Sequence, residues 1–279
     1  MKKANPLPVR AFRFTRLAMH LLTGVMTIAL VFPFYRKPGR DRAVARWSAK
    51  LLRILDVRVK ARGMRPRAGT RPVMLVANHV SWLDIHVLHA LTPVRFVAKA
   101  DMQYWPLLGW LAKAAGTLFV DRGRRRDTAR INHHIGDALR GGDCVGVFPE
   151  GTTTYGDQLL RFHGSLLQPA IHQDALLIPV ALRYLGDGGG VDRAVGYVGD
   201  TTLLQSLWTV LSRKTIRVRV AFLAGMDAGG HNRRDLAWNA QYAVADSLSV
   251  PISALAPETV SGQTVVLPSA VVPTGTPYR

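Results

Sequence analysis

The chain has 279 residues, of which 48% are hydrophobic, so it is not mainly disordered and is long enough to bury a large core. Lysine and arginine number 37 against 18 acids, and the resulting +19 draws the protein toward polyanions: nucleic acid, anionic lipid or phosphorylated substrates. The one cysteine, Cys144, excludes an internal disulfide, and its apolar neighbours Val145 to Phe148 mark it as buried filler rather than a nucleophile.

Residues 1–16 carry Lys2, Lys3, Arg10, Arg13 and Arg16, and an apolar stretch runs from Leu17 to Phe32. As a helix that stretch spans about 24 Å against roughly 30 Å of bilayer core, a marginal span. A signal peptide is the competing reading, but Phe32-Pro33-Phe34-Tyr35-Arg36-Lys37 offers no small-residue cleavage site. Basic residues at both ends leave the orientation open. Between Arg40 and Asp56, Ala43, Val44, Trp47, Leu51, Ile54 and Leu55 recur at helical spacing, with Arg46, Lys50 and Arg53 on another face. Such a helix suits an anionic lipid surface, and it equally suits ordinary packing with a solvated side. Residues 1–56 are therefore predicted as an N-terminal membrane anchor followed by a basic amphipathic helix.

From Val57 the pattern changes. Strands are predicted at Val57–Ala61, Val73–Ala77, Val94–Ala98, Thr117–Val120, Cys144–Phe148, Leu176–Leu182 and Ile216–Phe222. Helices are predicted at Ser81–Leu91, Trp105–Ala115 and Arg125–Arg140. The alternation implies an α/β fold, a mostly parallel sheet flanked by helices, over residues 57–256. Residues 186–193 form a Gly/Asp loop, and 257–279, rich in Pro, Thr, Ser and Gly, form a loose tail.

Three strand ends carry candidate chemistry. After Val73–Ala77 comes Asn78-His79-Val80-Ser81-Trp82-Leu83-Asp84. Asp84 in the following helix could hold one nitrogen of His79 and leave the other basic, as a general base requires. The same residues also read as a capping box, Ser81 at the N-cap and Asp84 at the third position, with His79 a plain loop residue. After Thr117–Val120 comes Asp121-Arg122-Gly123, where Arg122 could grip a phosphate or simply begin a charged turn continued by Arg124 to Arg126. After Cys144–Phe148 comes Pro149-Glu150-Gly151-Thr152, a turn whose carboxylate could accept from a substrate hydroxyl.

Together and in this order the segments carry more. Asn78 to Asp84 resembles the NHxSxxD block of the glycerolipid acyltransferases, the 1-acylglycerol-3-phosphate acyltransferase family. Gly116 with Phe119-Val120-Asp121-Arg122 is similar to its second block, Phe148 to Thr152 to its third, and Leu177-Ile178-Pro179-Val180 to its fourth. The likeness covers roughly residues 70 to 185 and makes 57–256 an acyltransferase domain. It implies direct transfer of a fatty acyl group from acyl-CoA or acyl-carrier protein to the free hydroxyl of a lysolipid, with no metal and no cofactor beyond the donor. His79 would be the base and Asp84 its orienting partner. Arg122 would meet the acceptor phosphate, Glu150, Gly151 and Thr152 would shape the same pocket, and Lys99 would touch the head group.

The most direct expectation is 1-acylglycerol-3-phosphate as acceptor, a membrane location at a bacterial inner membrane with the domain on the cytoplasmic side, and no nucleic acid among its partners. Two departures point elsewhere. Thr153 follows where many members carry arginine, and Phe162-His163-Gly164 stands where Phe-Lys-Gly is common. A lyso-ornithine lipid acyltransferase is therefore the alternative. A non-catalytic basic membrane-binding module would explain the arginines but not His79 and Asp84 beside Phe148 to Thr152. A hydrolase would need a Gly-x-Ser-x-Gly elbow, which the sequence lacks.

Overall fold

The structure is a computed structural model and describes residues 4–66, 71–120 and 125–253. Its helices are α1 (Leu7–Leu30), α2 (Lys37–Ile54), α3 (Leu83–Leu91), α4 (Leu108–Ala114), α5 (Arg125–Arg140), α6 (Gln168–His172), α7 (Leu203–Ser212) and α8 (Arg233–Leu248). Its strands are β1 (Val57–Arg62), β2 (Val73–Ala77), β3 (Arg95–Lys99), β4 (Leu118–Val120), β5 (Cys144–Val147), β6 (Leu159–Leu160), β7 (Leu176–Leu185), β8 (Ile216–Phe222), β9 (Met226–Asp227) and β10 (Ile252–Ser253).

The main sheet runs in the order β1-β8-β7-β2-β5-β3-β4, with β9 on β7 and a separate β6–β10 pair. Strands β7, β2, β5, β3 and β4 are mutually parallel, and β8 and β9 lie antiparallel on β7. Every residue of β2 is buried, as a continuous apolar run sandwiched between two helical layers must be. One layer holds α1, α2, α3 and α7, with Leu51, Leu55, Leu75, Leu83, Leu182 and Val218 in its core. The other holds α5, α6 and α8 over Met74, Val76, Ile135, Leu139, Leu177 and Val244. At the β1–β8 edge only the first layer is present. There the strands alternate apolar and charged residues, β8 showing a buried-exposed repeat from Ile216 to Arg219.

The expected strands and helices are present with shifted ends. Helix α4 begins at Leu108 rather than Trp105, because Pro106 and the positive φ of Leu107 (62°) interrupt the helical backbone before it. The N-terminal segment differs more. Its apolar stretch is the second part of a longer helix, α1, which starts at Leu7 with proline in its first turn. No helix among the described residues is long and apolar enough to cross a membrane. Leu17, His20 and Gly24 of α1 are buried. A Cβ on Gly24 would stand 2.7 Å from Nε1 of Trp47, so the glycine is what lets α1 and α2 approach. His20 Nε2 donates to the Trp47 carbonyl at 3.0 Å, and Trp47 Nε1 donates to that of His20 at 3.2 Å. Residues 4–56 are thereby one wall of the core, with Leu51, Leu52, Ile54 and Leu55 all buried, rather than an appendage. The tail expected at 257–279 lies outside the described residues.

Candidate active site

The turn from β2 into α3 places His79 and Asp84 side by side at the carboxyl end of the parallel strands, where open α/β sheets form crevices. Asn78 fixes the start of that turn. Its side-chain amide donates to the Leu182 carbonyl at 3.0 Å and its Oδ1 accepts from Leu182 N–H at 2.8 Å, locking β2 to β7. His79 Nδ1 lies 2.9 Å from Asp84 Oδ2. The carboxylate can only accept, so the proton sits on Nδ1 and the lone pair of Nε2 is left for an incoming group.

Asp84 is 0% exposed, a costly position for a charge unless its lone pairs are filled. They are filled by four donors. Oδ2 also accepts from Val80 N–H at 2.7 Å and Ser81 N–H at 2.9 Å, and Oδ1 accepts from Tyr184 Oη at 2.7 Å. The capping-box reading is thus half present: the carboxylate reaches back to Ser81 N–H while Ser81 Oγ sits only 3.4 Å from Leu83 N, and the helix begins with Trp82 at its N-cap. Both readings use the same oxygen, so cap and dyad coexist.

The imidazole is held from its flat side too. Its ring stacks on Phe148 at 3.9 Å between centroids, and Phe148 stacks on Phe96 at 5.4 Å. This column depends on Gly146 of β5, where a Cβ would fall 2.7 Å from Cε1 of Phe96. The His79 side chain still keeps 19% exposure, so one edge faces solvent.

Glu150 lies close by but inward, 4% exposed. Oε1 accepts the His79 backbone N–H at 2.8 Å and Oε2 that of Leu160 at 2.9 Å. Burial raises its carboxyl most, the two backbone bonds oppose that and the nearby Asp84 charge adds to it, leaving it at about 7. Each oxygen takes a backbone N–H and the carboxyl is buried, so in this structure Glu150 fastens the His79 turn from the inside. Gly151 follows at φ 74°, the left-handed region that favours glycine, and Gly151 and Thr152 are exposed. Thr153 Oγ1 donates to the Tyr197 carbonyl, and Thr154 N–H donates to the His79 carbonyl at 2.9 Å, so these two threonines brace the turn. Lys99 is 68% exposed at the end of β3 and pairs with Asp101 at 2.7 Å. Arg122 lies outside the described residues. The turn after β2 and the turn after β5 are thus joined into one site.

Tyr184 and Phe96 escaped the sequence reading. The expected strand stopped at Leu182, two residues short of Tyr184. The period-2 alternation of Ile178, Val180 and Leu182 was the signal that would have placed Tyr184 on the same face.

Comparison with known proteins agrees with this arrangement. The Acyltransferase family model matches residues 57–183. A lyso-ornithine lipid O-acyltransferase of Pseudomonas aeruginosa is 41% identical over 74% of this chain and 78% of the relative. A 1-acyl-sn-glycerol-3-phosphate acyltransferase of Neisseria meningitidis serogroup B is 36% identical over 78% and 82%. The crystal structure of the 1-acyl-sn-glycerophosphate acyltransferase of Thermotoga maritima shares the fold at a TM-score of 0.67 and 17% identity, over 87% of this chain and 94% of that one. Sequence and fold together place the chain in the acyltransferase family that contains these lysolipid enzymes, and it is an O-acyltransferase.

Proposed function

We propose that the chain moves a fatty acyl group from a thioester, acyl-CoA or acyl-carrier protein, to the free hydroxyl of a lysolipid, with His79 as general base. The observation that carries the reading is the 2.9 Å contact between His79 Nδ1 and a buried, four-donor Asp84. Nε2 takes the hydroxyl proton as the oxygen attacks the thioester carbonyl, and the thiolate leaves with a proton. General base help is worth roughly 10²–10⁴-fold, and holding lipid and thioester together supplies much of the rest.

The proposed acceptors are 1-acylglycerol-3-phosphate, which rests on Arg122, and lyso-ornithine lipid. The second is favoured by Thr153 and His163, which stand where a phosphate pocket would gain cations, and by the 41% identity to the Pseudomonas aeruginosa enzyme. The protein is read as lying on a membrane surface through the outward side of α1, where Phe12, Met19, Leu22, Met26 and Leu30 are all exposed. On this reading it works at the cytoplasmic side of a bacterial inner membrane.

The test is acyl transfer from a radiolabelled thioester with both lysolipids in parallel. The wild type is expected to form product with at least one, and His79→Ala to lose about 10³-fold or more while remaining folded. Full activity in that variant refutes the base assignment. Lipid binding without wild-type turnover on any acceptor favours a non-catalytic module.

A further inference from the structure

The β1–β8 edge of the sheet carries a charge pattern that the site does not use. On the face away from α1, α2 and α7, β1 presents Arg58, Lys60 and Arg62, β8 presents Arg217 and Arg219, and β7 presents Arg183. The register sets like charges directly opposite each other: Arg58 with Arg217, Lys60 with Arg219, and Arg219 with Arg183. Such pairs destabilise a sheet. Among the described residues relief is slight. Asp56 pairs with Arg58 and Asp187 with Arg217 at the rim, and Arg62 reaches Ser247 at 3.4 Å. Among the described residues Lys60, Arg183 and Arg219 have no acidic partner, and Nε of Arg183 is buried without a hydrogen bond.

Position restricts what can cover this face. The exposed apolar side chains of α1 and α7, such as Leu22, Met26, Leu204 and Trp208, belong to the opposite layer. A membrane held there leaves the six cations turned toward water. The row Lys60–Arg219–Arg183 also lies at the active-site end of the sheet. Ala77 is level with Val180, and Arg183 is three residues further along, about 10 Å at ~3.3 Å per residue. Strand β8 is two strands from β2, again about 10 Å.

We propose that this basic face docks a small acidic carrier protein bearing the acyl thioester. The inference rests on the acyl-transfer reading above and deepens it by giving the carrier-protein donor, one of the two thioesters already proposed, a docking face. The docked carrier leaves its thioester arm to cross the sheet end toward His79. The acyl carbon exchanges its bond to the carrier sulfur for one to the lipid oxygen, and the carrier departs as the thiol with the hydroxyl proton. A face of one sign steers an oppositely charged protein and fixes its orientation more than it adds affinity, so the signature belongs in KM and in salt dependence.

The test is the double variant Arg58→Glu, Lys60→Glu. It turns two like-charge pairs into opposite-charge pairs, so its Tm is expected to stay level or rise. Three donors with the same acyl chain are compared: acyl-carrier protein, acyl-CoA and an acyl N-acetylcysteamine thioester. The expected result is a KM for the carrier-protein donor raised roughly tenfold, with its salt dependence flattened, while the two small donors are unchanged. An unchanged KM for the carrier protein overturns the proposal. An equal rise for acyl-CoA also overturns it, by assigning the face to the nucleotide phosphates, and so does loss of binding to anionic vesicles, which makes the face a lipid contact. Fluorescence anisotropy of labelled holo-acyl-carrier protein keeps the question separate from chemistry. Salt-sensitive binding that the double variant loses supports docking even if no donor is turned over, an outcome that would sink the acyl-transfer reading alone.

Discussion

At the residue scale, the site is organised by what surrounds Asp84. A carboxylate 0% exposed and bonded to His79 Nδ1, two backbone N–H groups and Tyr184 Oη cannot turn, so neither can the imidazole. Tyr184→Phe removes one donor and leaves the packing. Losing that bond loosens the grip on Asp84 and so on the imidazole, and kcat is expected to fall about tenfold with KM little changed. A purely structural tyrosine would lower Tm and leave kcat in place. Glu150 makes a second prediction. Its folded carboxyl titrates near 7 against 4.5 for the free group, so the native state keeps a proton that the unfolded chain gives up. Its contribution is fully present below 4.5 and is lost as pH rises through 7, on the order of 3 kcal/mol. Glu150→Gln should remove this slope. The difference in Tm between parent and variant, scanned from pH 4.5 to 7.5, checks it, and a constant difference would refute the assignment.

At the element scale, two contacts between neighbouring elements decide how firmly the site is held. The first is the close approach of β3 to β5, where Gly146 leaves room for Phe96 under Phe148 and His79. Gly146→Ala must displace that column. A loss of about 1–3 kcal/mol in stability is expected, with a fall in kcat larger than any change in KM. Chemical denaturation and steady-state kinetics read the two effects. The second is the seam of α1, α2 and α3, where His20 stacks on Trp47, and His86 lies between Trp47 and Trp82 with no hydrogen bond to Nδ1. Burial lowers His86 to about 3 and His89 to about 4. Both are held neutral in the fold, so their contribution is complete above 6.5 and lost as pH falls toward those values. This slope opposes that of Glu150, which is why variant-minus-parent differences are the useful measure. His86→Leu should make the protein less sensitive to acid between pH 6.5 and 4, seen as a smaller drop in Tm.

At the scale of the whole molecule, the two sides of the sheet differ in chemistry. Apolar side chains face outward from α1 and α7 on one side, and the cations of β1, β7 and β8 face outward on the other, so the proposed lipid contact and the proposed docking face lie on opposite sides of the sheet. Leu22→Glu with Met26→Glu should abolish flotation with anionic vesicles. Turnover of a soluble short-chain lysolipid should persist, since both side chains are exposed rather than part of the core that carries the His79 turn; loss of both would show that α1 supports the site itself. The sequence by itself determined the layered architecture, because continuous apolar runs such as Val73–Ala77 can be satisfied only between two helical layers. It also singled out His79 and Asp84 through the resemblance of Asn78 to Asp84 to the NHxSxxD block, whereas their spacing alone fitted a capping box equally well. It did not determine the role of the N-terminal segment, since the apolar pattern of α1 serves a core or a membrane equally well. Nor could it show that Glu150 bonds the backbone of a turn 71 residues away, or that Tyr184 closes the shell of Asp84 from 100 residues away. Contacts of that separation are set by strand order and register, and only the folded chain, with β7 and β5 on either side of β2, decides them.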